Sequence, residues 1–354
     1  VKVALLGMMQ SGKSTLLSAL SGKEMGPVPA TSVVEEIIPV PDSRIDWLTN
    51  HYKPKKTTRA TIDCLDVPGV YFTDEHGRAA AQRVLREMRT AGMIVLVARA
   101  FQDETVPVYR DSVDPARDIN ELRQELLLAD LELVTTRIER LEKSVAKGGR
   151  NAAQEKEELA LQKRLEAALE NEQPIREVIE GESEEAMIRS LNFFSLKPIA
   201  VVVNTGEDDL GKDFELGLDA SIPVVCLCAT LEMELAQLDT EDQSEFMQDL
   251  GITEPAINKF VNKCYEALGL ISFLTSGEDE VRAWPIKRGI SALEAAAKIH
   301  SDIQRGFIRA ETLAFETLKE LGSEKAVKAA GKSQLEGKTY VVQDGDIINF
   351  RFNV

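Results

Sequence analysis

Gly7, Gly12, Lys13 and Ser14 stand in "GMMQSGKST" at the spacing G-x-x-x-x-G-K-[ST]. Those residue types at that spacing hold a nucleoside polyphosphate. The stretch follows an apolar run and precedes a helix-forming one, the context the pattern requires. Backbone N–H groups from Gln10 through Ser11, Gly12, Lys13 and Ser14 to Thr15 can wrap a β-phosphate, helped by the positive end of the following helix. Lys13 can reach the β- and γ-oxygens, which makes it a catalytic candidate, and the Ser14 hydroxyl can ligate Mg²⁺.

A second element follows in "CLDVPGV". Asp66, at the end of an apolar run, can hold the magnesium through water, and the Gly69 amide can meet a γ-phosphate. Between the two elements, "PVPATSVV" offers Thr31, a loop hydroxyl that would complete the metal shell. Many GTPases place Gln after this glycine to orient the attacking water. Val70 stands there instead and cannot do so. Either another group serves, or turnover is slow and the protein is mainly a switch.

The base-reading end is expected in "KPIAVVVNTGEDD" (197–209). Guanine-nucleotide proteins often place Asn-Lys-x-Asp at such a strand end, the Asp accepting two guanine N–H donors. Here Asn204 is kept, Thr205 replaces Lys, and Glu207, one methylene longer, replaces Asp. Two-point guanine recognition weakens, so a site for adenine, or one tolerating both purines, follows as a hypothesis. "CATLE" (228–232) sits where the backbone amides of Cys228, Ala229 and Thr230 can close over the base.

These segments need elements to hold them. "VKVALLG", "RATIDCLDV", "GMIVLVARA", "KPIAVVVN" and "IPVVCLCAT" are near-continuous apolar runs, as in strands buried on both faces of a mostly parallel sheet. Helical stretches such as "KSTLLSALSG" and "AAAQRVLREMRT" alternate with them, which predicts an α/β domain. From about Asp118 to Glu185 the rhythm breaks. Leu127, Leu131, Val134, Ile138, Leu141 and Val145 recur at spacings of four and three, and Leu161, Leu165 and Ala168 follow after "KGGRN". The expectation is an antiparallel helical hairpin, with two ordinary helices packed on the core as the alternative.

After about Leu270 the pattern becomes strand, turn at Ser276–Asp279, strand, then a helix over "SALEAAAKIHSDIQRGFI" opened by a Ser291/Glu294 capping box. A closing hairpin over "KTYVVQDGDIINFRFNV", turning at Gln343–Gly345, completes a small α+β domain of β-grasp type.

Composition narrows the function. With 354 residues, 44% hydrophobic and 29% charged, the chain is long enough for two or three domains. No apolar run approaches a membrane span, and no secretory leader is expected at the start. Cys64, Cys226, Cys228 and Cys264 lack zinc-site spacing and read as buried thiols of a cytoplasmic protein. The net charge of −17 argues against a general nucleic-acid coat. Residues 272–354 carry 12 basic and 12 acidic side chains, so the first 271, with 30 against 47, hold the whole deficit. An RNA-facing surface is therefore better sought in the C-terminal part, where "IKRG" (286–289) and "IQRGFIR" (303–309) could form a basic face.

With these motifs in place the chain resembles the YchF family of Obg-related P-loop NTPases. "NTGE", "PVPDSRID", "DPARDINELRQELLLADLE", "CATLEMELAQLD" and the tail from "VRAWPIKRG" to "EGKTYVVQDGDIINFRFNV" carry the likeness along essentially the whole chain. The resemblance implies a P-loop NTPase domain (1–117 and 190–270), a coiled-coil insertion (118–189) and a C-terminal β-grasp TGS domain (271–354). It further implies Mg²⁺-dependent hydrolysis of ATP in preference to GTP through Asn-x-x-Glu, and association of a monomer with ribosomes or RNA. The chain departs from the family in its rebuilt segment "VYFTDEHGRAAAQ". It also departs in "FQDETVPVYRD", where Val108 falls near the family's water-orienting His. His76, in the rebuilt segment, is the imidazole that could stand in as the water-positioning group, though a lone loop histidine is more often merely solvated. His51 and His300 read as structural or surface residues.

Overall fold

The computed structural model describes residues 1–23, 32–149 and 151–353, so the metal role expected of Thr31 falls outside the described residues. In chain order the strands are β1 (Lys2–Gly7), β2 (Val34–Pro39), β3 (Lys56–Thr58), β4 (Thr61–Asp66), β5 (Met93–Arg99), β6 (Ile199–Asn204), β7 (Val224–Leu227), β8 (Leu270–Thr275), β9 (Glu280–Lys287), β10 (Phe307–Ala314), β11 (Gln334–Glu336) and β12 (Asp346–Phe352). The helices are α1 (Lys13–Ser21), α2 (Ser43–Tyr52), α3 (Glu75–Met88), α4 (Pro115–Lys147), α5 (Ala152–Glu170), α6 (Gly181–Ile188), α7 (Ala229–Gln237), α8 (Thr240–Asp249), α9 (Ala256–Ala267), α10 (Ala292–Ile299), α11 (Ser301–Arg305), α12 (Phe315–Leu321) and α13 (Glu324–Ala329). Two units form: Val1–Glu36 with Asp63–Ile257, and Ile37–Ile62 with Asn258–Val354.

The first unit is built on a sheet of order β2-β4-β1-β5-β6-β7. β4, β1, β5, β6 and β7 run parallel to one another. β5 is buried along its whole length, as its unbroken apolar run predicts. Parallel pairing sends the carboxyl ends of β1, β4, β6 and β7 to one edge, where open α/β sheets bind ligands. The phosphate loop, the Asp66–Gly69 segment, the Asn204–Glu207 segment and Cys228–Thr230 each lie at or just after one of those ends.

α4 resolves the choice between hairpin and core helix by being both. Asp114 caps it by accepting from the Arg117 N–H, and Pro115 stands where no N–H is needed. Its first turns bury Ile119, Leu122 and Leu126 in the core of the sheet domain. Farther along, Val134 and Ile138 pack with Leu161, Leu165 and Leu169 of α5. The ties Arg137–Glu158, Glu142–Lys163 and Ser144–Glu155 show that α5 runs back antiparallel.

The second unit has a mixed sheet of order β11-β10-β12-β8-β9-β3. β8 and β9 form the expected antiparallel pair, β12 lies parallel to β8, and β10 is antiparallel to β12. α10 packs Ala292, Ala295 and Ala296 into the core with Phe273 and Phe350, and the Ser291/Glu294 capping box is present. This is the β-grasp arrangement.

Three expectations change. The tail is not a hairpin. Both edges of β12 are taken by β8 and β10, so the stretch before it makes one bridge, Ser291 to Val341. The long helix after Ser291 breaks at His300, which is extended (φ −162°, ψ 144°) and whose Nδ1 accepts from the Asp302 N–H, capping α11; Phe307 then starts β10. Residues 37–62, read as part of the nucleotide domain, pack with the C-terminal residues: β3 pairs with β9, and Arg44 pairs with Asp344 at 2.9 Å.

Candidate nucleotide site

The loop between β1 and α1 is folded for its task before any ligand arrives. Gln10 and Gly12 have positive φ (60° and 87°), which turns the chain so that α1 begins at Lys13. A Cβ on Gly12 would lie 2.1 Å from Asn204 Nδ2, so only glycine fits. Lys13, 6% exposed, donates from Nζ to the carbonyls of Gly7 (3.2 Å) and Met8 (3.3 Å). Burial lowers its pKa to about 8, against the pull of Asp66.

Ser14 Oγ donates to Asp66 Oδ2 at 2.6 Å. Burial raises the Asp66 pKa; the Ser14 hydrogen bond and the Lys13 charge oppose it. Asp66 Oδ1 is buried without a partner among the described residues. An orphaned carboxylate oxygen beside a hydroxyl and a phosphate loop is a donor set suited to a hard cation, so Ser14 and Asp66 fit Mg²⁺. The phosphate loop, Asp66 to Gly69 and Ser32 line a cavity of about 410 Å³. Ser32 was missed in the sequence; its signal was a hydroxyl adjacent to Thr31.

The segment after Asp66 is docked on the phosphate loop. Val70 donates to the Gly7 carbonyl (3.1 Å) and accepts from the Met9 N–H (3.0 Å). It is 2% exposed, which explains an apolar residue where Gln is common. A Cβ on Gly69 would lie 2.8 Å from Met9 Cα, so the close approach requires glycine. His76 is exposed in the first turn of α3 and does not line the cavity; Val108 is also exposed.

Asn204, at the end of β6, is committed at both ends of its carboxamide. Nδ2 donates to the Ser11 carbonyl (3.1 Å), and Oδ1 accepts from the Ala229 N–H (3.0 Å). One side chain thus joins the phosphate loop to the start of α7. Cys228 Sγ lies 3.1 Å from Thr230 Oγ1, and Cys228 and Ala229 are buried. Glu207 is exposed in a short turn. The Thr205 hydroxyl is buried without a partner among the described residues.

Sequence reasoning also passed over Phe101. Its Cε1 lies 3.9 Å from where a Gly12 Cβ would stand, and its Cβ 3.9 Å from the same point on Gly206. Buried Arg99 fixes that loop, donating to the carbonyls of Phe101, Asp103, Val106 and Pro107 at 3.0–3.2 Å. An aromatic directly after a buried strand end was the available signal.

Comparison with known proteins agrees with this geometry. The family "50S ribosome-binding GTPase" matches residues 2–136, and YchF-GTPase_C, "Protein of unknown function (DUF933)", matches 270–353. The chain is 38% identical to "Ribosome-binding ATPase YchF" of Bacillus subtilis (strain 168), over 99% of this chain and 98% of that protein. It is 38% identical to "Obg-like ATPase 1" of Oryza sativa subsp. japonica, over 100% of this chain and 92% of that one. The "Schizosaccharomyces pombe YchF GTPase" superposes with a TM-score of 0.84 at 29% identity, covering 99% of this chain and 97% of that one. A full-length match of this kind, carried by the phosphate loop, the Asp66–Gly69 segment and the β-grasp tail alike, places the chain in the YchF family of P-loop nucleoside triphosphatases.

Proposed function

We propose that the chain binds ATP with Mg²⁺ in preference to GTP, hydrolyses it slowly to ADP and phosphate, and serves as a ribosome- or RNA-associated regulatory switch. The observation that carries the reading is the Lys13–Ser14–Asp66 cluster, which lines a cavity of about 410 Å³ with the phosphate loop and holds a carboxylate oxygen without a partner among the described residues. Lys13 exchanges two carbonyls for phosphate oxygens and balances the charge that develops on the transferred group. Backbone N–H groups from Gln10 to Thr15 bind and orient the phosphates, and Gly69 lets its own amide approach them. Ser14 and Asp66 hold the magnesium, which neutralises phosphate charge. Thr31 is proposed to join them.

For the base, Asn204 holds the two walls together, and Glu207, with Cys228, Ala229 and Thr230 opposite, distinguishes the purine. The names of the Bacillus and rice relatives support ATP as substrate, and the former supports the ribosome as partner. A cytoplasmic monomer is proposed, with the unit of residues 1–36 and 63–257 binding nucleotide, and the hairpin at 118–189 and the unit of residues 37–62 and 258–354 meeting the partner. Buried Val70 and exposed His76 favour a second reading, a nucleotide switch with little intrinsic hydrolysis.

Calorimetric titration with ATP and GTP analogues in Mg²⁺, beside Glu207→Asp, tests the substrate. ATP binds more tightly in the unmodified chain, and Glu207→Asp moves the preference toward GTP. Tighter GTP binding by the unmodified chain refutes the assignment. Turnover no faster than that of Lys13→Ala leaves only the switch.

A further inference from the structure

A groove of about 340 Å³ lies between α3 and α4, away from the nucleotide cavity and within the range of ligand clefts (~300–1,000 Å³). Its floor is apolar: Leu85 is 4% exposed, and Ala129 and Leu133 are half-buried beside it. Its rim carries Arg86, Arg89 and Arg140 against one acid, Glu132.

The arginines are not equivalent. Arg89 is held, donating to the Asp130 carboxylate at 3.0 Å and to the Ala129 carbonyl at 2.6 Å, with its guanidinium 4.4 Å over the Phe194 ring. Arg86 uses only Nε, on the carbonyl of Gln82 one turn back. Arg140 is exposed and has neither ion pair nor hydrogen bond among the described residues. Two guanidinium groups are thus left to an outside anion, over an apolar floor. They stand in a stretch of 271 residues where acids outnumber bases 47 to 30.

That combination selects a partner class. A nucleic-acid backbone would satisfy the arginines, but it would leave the leucines uncovered. A polypeptide with carboxylates flanking an apolar side chain satisfies both parts at once: paired charges set orientation, and the buried apolar group supplies affinity. We propose that the groove docks an acidic, leucine-bearing helical segment of a partner protein, with carboxylates on Arg86 and Arg140 and the apolar side chain against Leu85 and Leu133. The groove belongs to α3, which starts six residues after Gly69, so its occupant would press on the helix next to the phosphate-facing loop.

The test is fluorescence anisotropy with the full chain and a fluorescein-labelled helical peptide bearing two leucines one turn apart among Asp and Glu. Companion probes are the same peptide with both leucines changed to Ser, and a short single-stranded RNA. Arg86→Glu with Arg140→Glu alters two exposed side chains outside the nucleotide site, so nucleotide affinity serves as the control for folding. The acidic leucine peptide binds, and the charge reversal and the loss of the leucines each weaken binding by about tenfold or more. No binding, binding unaffected by the charge reversal, binding that survives loss of the leucines, or tighter RNA binding abolished by the charge reversal each overturns the proposal.

Discussion

Raising the pH from about 7 to about 9 should weaken triphosphate binding roughly tenfold through Lys13 alone. Burial has already lowered the Lys13 pKa to about 8 in the ligand-free chain. At pH 7 the ammonium is about nine-tenths protonated, and at pH 9 about one-tenth. Phosphate oxygens favour the charged form, so the complex keeps the proton across this range. Binding therefore takes up about 0.1 proton at pH 7 and about 0.9 at pH 9, equivalent to about 1.4 kcal/mol of lost affinity. Calorimetry in two buffers of different ionisation enthalpy reads the uptake directly, and Lys13→Ala controls for the ligand's own titration. Uptake that does not grow with pH, or an identical slope in Lys13→Ala, refutes the reasoning.

The same shift acts on folding with a definite sign. Lys13 holds its proton less tightly folded than unfolded, where its pKa is 10.5. The unfolded chain then binds more protons between about pH 8 and 10.5, so ligand-free stability rises with pH in that window, by roughly 3 kcal/mol from this group. Below it both states are protonated and the penalty is constant.

Other substitutions probe the scaffold. Gly12→Ala forces a methyl into Asn204 at a positive φ and should destabilise the fold by about 1–3 kcal/mol while abolishing nucleotide binding; thermal melting and calorimetry check both effects. Asn204→Ala leaves the buried Ala229 N–H unpaired, a loss of about 1–3 kcal/mol in denaturant titration, and should weaken ATP and GTP equally. Asp130, fully buried, accepts from Phe194 N, Ser195 N, Ser195 Oγ and Arg89. Its replacement by Ala should lower stability by about 3–5 kcal/mol, read from the urea midpoint, because Arg89 and the backbone N–H groups lose their acceptor.

What the sequence disclosed, it disclosed through local rules. The phosphate loop could be read because Gly12, Lys13 and Ser14 act through backbone conformation and their own reach. β5 could be read because a strand covered on both faces must be apolar throughout. The failures came where a partner distant in the chain decides. A pattern of apolar residues cannot say that β8 and β10 occupy both edges of β12, so the tail looked like a hairpin. Nor can it say that residues 37–62, which follow β2 without a break in composition, add β3 to the other sheet. His300 fits a helical pattern, yet its imidazole offers the Asp302 N–H a better local acceptor and divides the helix. Ser32 and Phe101 were overlooked for the same reason: loop residues acquire a role only from what the fold sets beside them.

The two residues that made "NTGE" conspicuous have separate tasks. Asn204 spends one Nδ2 hydrogen on Ser11 and one Oδ1 lone pair on Ala229, so half of its hydrogen-bonding capacity is fixed by the walls. It fixes the distance between the phosphate loop and α7, and so the size of the space a purine must enter. Glu207 is tied to neither wall, and its carboxylate is exposed. Discrimination between an exocyclic amine and a carbonyl on the purine is then expected of Glu207 and of the backbone N–H groups of Cys228 and Thr230, since the Ala229 N–H is already held by Asn204. An Asn204 variant should accordingly lose affinity without changing preference, and a Glu207 variant should change preference with a smaller loss of affinity. The two profiles cannot be exchanged if the bridge in the structure persists in the complex, and a preference shift in Asn204→Ala as large as that in Glu207→Asp means that the bridge opens when nucleotide binds.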